Sequence, residues 1–137
     1  MENTTDKAFE TANPDLQRLH READDIQAYM SIPCNLQDPA TLTDRLRDLD
    51  VYMARLSDMM LRAKALRDRA QYDYIDKNED KLNKLTATVS NRMIGKQLFD
   101  YSMTYSRLET MYDTLKTLSR NLVTQISYIK EQMRNFN

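Results

Sequence analysis

Arg55, Arg62 and Arg69 stand seven residues apart, with Lys64 and Arg67 between them and Tyr72 just beyond. On a helix a seven-residue step returns to nearly the same face, so the three arginines would line one flank at about 10 Å intervals. Such a row can hold a phosphate backbone by charge alone, and an aromatic ring beside it offers a stacking surface for an unpaired base. Asp58 and Asp68 interrupt the row without cancelling it. A solvated, salt-bridged helix surface would have the same composition, and that alternative stays open. Arg67 is the harder residue to read as mere surface, because it occupies a position in an apolar seam. There its head must reach solvent or an acid while its stem passes Ala63 and Ala70.

The seam itself identifies the element that carries these side chains. Leu42, Leu46, Leu49, Met53, Leu56, Met60, Ala63, Arg67, Ala70 and Tyr74 are spaced alternately by four and three residues, the repeat of a supercoiled helix. Asp38-Pro39 marks its start, Asp as an acceptor for a free first-turn amide and Pro at a position that sacrifices no hydrogen bond. Tyr52, Met59 and Leu66 add a second apolar row, so three or more helices should share the core. A second long element, Leu98 to Phe136, repeats the alternation through Tyr101, Tyr105, Leu108, Tyr112 and Leu115. Tyr74, Tyr101, Tyr105 and Tyr112 therefore read as core residues, which leaves Tyr72 as the better stacking residue. The polar stretch 76–81, with Thr86 and Thr88 as caps, is the expected turn, and a kink is expected near Gly95, the single glycine. Upstream, Leu16, Leu19, Ala23, Ile26 and Met30 give a short helix before a break at 31–35.

These elements amount to an all-α fold: a long antiparallel, coiled-coil-like helical hairpin over 38–137, preceded by a flexible acidic region with a short helix over 1–37. Helices of about 37 and 48 residues would reach roughly 55 and 70 Å. Their broad apolar faces need covering by each other and by further copies of the chain. Homo-oligomerisation is expected through the C-terminal helix, at Leu115, Leu122, Ile126, Ile129, Met133 and Phe136.

Composition agrees and excludes a good deal. One Gly and three Pro in 137 residues are too few for the turns of a sandwich or barrel, or for a glycine-rich phosphate loop. One Cys, one His and no Trp rule out a disulfide framework and a Cys/His zinc cage, so neither a cofactor nor a metal site is expected. The carboxylates Asp44, Asp48, Asp58, Glu79 and Asp80 lack the two Glu-x-x-His pairs of a di-metal bundle, since His20 stands alone, and no calcium-loop spacing is present. His20 reads as a surface residue of the short helix, Cys34 as a loop spectator, and the chain as no enzyme. No run approaches the ~18 to 20 apolar residues of a membrane span, and the acidic amino end does not resemble a signal peptide, so a cytoplasmic protein is expected. The near-zero net charge of −1 hides a polar molecule. Residues 1–50 hold 11 acidic and 5 basic side chains, and residues 84–137 hold 4 and 8.

At Leu66-Arg67-Asp68-Arg69-Ala70-Gln71-Tyr72-Asp73-Tyr74 the chain resembles the phage UvsY-type recombination mediators, in which a basic-x-Arg step on a helix is followed closely by paired tyrosines. The segments 116–121, 125–126 and 129–136 look like that family's C-terminal oligomerisation helix, and element order agrees from Leu42 to Phe136. The family's glycine after the tyrosines is absent here. The resemblance implies a non-catalytic ring that binds single-stranded DNA and helps a recombinase replace the single-strand-binding protein, in the host cytoplasm if the chain is phage-encoded. Arg67 and Arg69 match the family's DNA-contacting pair by position. With Arg55, Arg62, Lys64 and Tyr72 they form the expected nucleic-acid-binding set. The competing expectation is a coiled-coil scaffold or assembly protein that binds no nucleic acid, which the same periodicities satisfy.

Overall fold

The structure, a computed structural model, describes residues 11–136. Among them are five helices and no strand: α1 (Pro14–Met30), α2 (Pro39–Lys77), α3 (Glu79–Asn83), α4 (Ala87–Gln97) and α5 (Phe99–Asn135). The fold is all-α, as the heptad spacing requires.

Each start has a local cause. Asn13 caps α1 by accepting from the Asp15 and Leu16 amides, with Pro14 in the first turn. Asp38 caps α2 by accepting from the Ala40 amide and the Thr41 hydroxyl. Those bonds hold its carboxyl below the usual pKa, the Thr41 hydroxyl contributing most. The turn after α2 forms at Asn78, whose side-chain amide donates to the Tyr74 carbonyl at 2.8 Å. Thr86 then caps α4 through the Val89 amide. The expected kink is real but lies three residues past Gly95. Helix breaks at Leu98, where φ −96° and ψ 4° leave the helical well and the side chain is buried. Gly95 remains inside α4, because an exposed helix surface places no demand on that position.

The α2 and α5 helices pair along their length in opposite directions. At one end Gln125 donates to the Leu36 carbonyl just before α2, and at the other the Arg67 guanidinium lies over the Tyr105 ring. The third helix at their core is α1, from the same chain. It runs parallel to α5 and antiparallel to α2: Asn13 donates to Tyr101 and Arg107 reaches Asp24, while Glu22 meets Arg62 and Tyr29 meets Asp48. Leu16, Leu19, Ala23 and Ile26 are at most 2% exposed and join Leu49, Leu56, Met59, Leu108 and Leu115 in one core. The second row read from the sequence faces this helix: Met59 is 1% exposed, and Tyr52 and Leu66 pack at the edge of the same core, with Thr104 of α5 also 1% exposed.

Two expectations change here. The region before residue 37 is not separate from the hairpin, because α1 lies in the common core. Residues 1–10 of the expected tail lie outside the described residues. His20 is also no bystander: it sits between α1 and α5, its Nε2 2.9 Å from Thr104 Oγ1 and its Nδ1 2.9 Å from Arg107 Nη1. A guanidinium only donates, so Nδ1 must accept and the imidazole is neutral, with its proton on Nε2. Burial, then the nearby Arg107 charge, pushes its pKa below the ordinary value, with Asp24 acting weakly the other way.

Candidate nucleic-acid interface

The third helix decides what becomes of the basic residues. At about 1.5 Å per residue α1 spans about 25 Å, under half of α2's length of about 58 Å. The last buried residue of α2 is Ala63. Because Glu22 stands beside Arg62 and α1 runs antiparallel from Pro14, the first turn of α1 lies level with the stretch from about Leu66 to Ala70, and α2 projects past α1 only beyond it. Tyr72 lies on this projecting end, and Arg67 and Arg69 lie level with the first turn of α1. Arg55 and Arg62 lie on the part beside α1.

Arg62 is spent within the fold. Its Nη2 donates to Glu22 Oε2 of α1 at 2.7 Å. Its Nε lies 3.2 Å from Asp58 Oδ2, near enough for an ion pair but without hydrogen-bond alignment. Arg55 stands 5.6 Å from the centroid of the Tyr52 ring. Arg67 solves its seam position as the sequence required. Its stem stays half-buried, its Nε lies 3.8 Å from Asp68 Oδ1, and its head rests 5.9 Å from the centroid of the Tyr105 ring on α5. Lys64 lines an open groove with Met60, Leu61, Tyr105 and Tyr112. Neither Lys64 nor Arg69 has an ion pair among the described residues, and Tyr72 is 71% exposed.

The expected set is therefore not gathered on one face. The seven-residue step keeps Arg55, Arg62 and Arg69 on the flank of α2 toward α1, whereas Lys64 and Arg67 lie on the flank toward the Tyr105–Tyr112 groove. Tyr72 follows Arg69 by one helical turn, and these two form the open basic–aromatic pair of that set.

The expected oligomerisation set divides as well. Leu115, Leu122 and Ile126 are buried in the protomer's own core, and Ile129 packs at its edge. Met133 is 57% and Phe136 90% exposed. Sequence reasoning missed Glu22, whose partner is 40 residues away, and Arg107, which ties α5 to α1 through Asp24 (2.6 Å) and Gln27 (3.0 Å). No local spacing signals either contact.

Among the described residues no group of three or more His, Cys, Asp and Glu side chains could hold a metal ion, and no helix is long and apolar enough to cross a membrane. Cys34 is a free, partly buried thiol at the edge of the core. In comparisons with known proteins, the chain matches no family model, no curated protein and no solved structure.

Proposed function

We propose that the protein is a non-enzymatic, self-associating binder of single-stranded DNA that acts as a recombination mediator, helping a recombinase to replace the single-strand-binding protein. The observation that carries this reading is the open end of α2, where Arg69 has no ion pair among the described residues and Tyr72 is 71% exposed one turn further on. Arg67 and Lys64 add charge from the neighbouring flank, and Arg55 extends the track along the helix. Arg62 belongs to the docking of α1 and contributes little to the strand. Phosphates meet guanidinium and ammonium groups while a base stacks on Tyr72, so affinity falls steeply with salt and is indifferent to base order. Association of several copies multiplies the effective concentration of such tips along one strand.

The test is a titration of the full chain with labelled single-stranded oligonucleotide at two salt concentrations. Binding that weakens with salt, and is lost in an Arg67→Ala, Arg69→Ala variant of unchanged helicity and mass, supports the proposal. No binding by the wild type, or binding undiminished in the variant, overturns it. One observation favours a second reading, a scaffold without nucleic acid: the cations divide between two flanks, and Glu22 and Asp58 neutralise Arg62. The same titration chooses between the two.

A further inference from the structure

Among the described residues no helix covers the flank of the α2/α5 pair opposite α1. Met60, Leu61, Lys64, Tyr105 and Tyr112, with Ser57, line a groove there, and Leu61 is 68% exposed. We infer that this groove is the docking face for a second copy of the chain, whose α2 lies antiparallel to the first across a two-fold axis at Ser57.

The sequence along this face is self-complementary about that point. Ser57 lies midway between Asp50 and Lys64, which are one heptad to either side on the same row. Antiparallel pairing centred on Ser57 sets Asp50 against Lys64 of the second copy, and Lys64 against its Asp50. On the outer row Arg47 meets Asp68 of the second copy, and Ala54 meets its Leu61. On the inner row Met53 meets Met60 of the second copy. Each of these four pairs is either opposite in charge or apolar on both sides, while Ser57 faces its own copy and Leu46 meets Arg67 further along the inner row. Parallel pairing in register would instead set Asp50 against Asp50 and Lys64 against Lys64, so the charges select one orientation. Asp50 and Lys64 have no ion pair among the described residues of the protomer. Among the described residues Arg47 and Asp68 make intrahelical pairs at 3.7 and 3.8 Å, exposed and easily exchanged. An isologous contact of this kind closes on itself, and burial of Met53, Met60 and Leu61 supplies its attraction.

The face differs from the C-terminal end of α5, and the inference does not rest on the DNA reading. It withdraws Lys64 from the strand and leaves Arg69, on the flank toward α1, and Tyr72 uncovered.

The experiment is solution mass of the full chain against concentration, without nucleic acid, by sedimentation equilibrium or light scattering. Leu61→Glu and Asp50→Lys, both at exposed positions, should keep wild-type helicity and each weaken dimerisation by about tenfold or more. The double variant Asp50→Lys, Lys64→Asp re-creates the pairs with reversed sign and should return to within about threefold of wild type. A wild type that is monomeric at every concentration overturns the inference. So does an assembly that ignores both single variants, or one lost in Met133→Asp, Phe136→Ser while Asp50→Lys leaves it intact.

Discussion

Replacing Leu19 by Ala tests whether α1 is a structural member of the bundle. Leu19 is 2% exposed, in the middle of a stripe that faces both long helices. Leu→Ala at such a site removes the transfer free energy of the lost methyl and methylene groups and leaves a cavity, a cost of about 2 to 5 kcal/mol. A chain of this size has about 7 to 20 kcal/mol of total stability, so the loss is a large fraction of the whole. At roughly 3 to 5 °C per kcal/mol it should lower the thermal midpoint by about 10 °C. Urea and thermal unfolding followed by circular dichroism at one fixed protein concentration read the effect, because association would otherwise shift the midpoint. Val123→Ala, at a 49% exposed position outside the proposed interfaces, is the control. A Leu19→Ala chain within about 0.5 kcal/mol of wild type would refute the shared core and restore α1 to an appendage.

Two further outcomes follow from local features. Gly95 lies within α4 with nothing within 4 Å of an added methyl, so Gly95→Ala should raise stability by about 0.5 to 1 kcal/mol, and an unchanged or lower urea midpoint would contradict this. His20 has a folded pKa below its ordinary 6.5, so on acidification the unfolded chain takes up its proton first. The stabilising contribution is full above about pH 6.5 and is lost as the pH falls toward the folded value. His20→Gln should flatten the decline in thermal midpoint between about pH 7 and 5, and parallel curves for the two proteins would exclude His20 as its source.

How far the sequence could be read depended on whether a feature was local. The seam from Leu42 to Tyr74 and the cap at Asp38 are written in neighbouring residues, and both elements stand where spacing puts them. The row Tyr52, Met59, Leu66 called for a third helix without saying which, since an apolar stripe specifies the need for a cover and not its source. Here the cover is α1. The break at Leu98 was displaced to Gly95 because composition marks where a helix is weakest, whereas packing decides where it bends. The arginine repeat gave Arg55, Arg62 and Arg69 a common flank. It could not indicate that Glu22 claims the middle one, or that Lys64 and Arg67 turn to the other side.

The parallel seating of α1 on α5 also sets an order of events during synthesis. Helix α1 leaves the ribosome before α5 yet binds a surface made partly by it, so Leu16, Leu19 and Ile26 must wait for residues beyond 100 before they are covered. At about 5 to 20 residues per second the stripe faces solvent for roughly 5 to 20 s, the interval in which a nascent chain is most exposed to chaperones and to its neighbours on the same message.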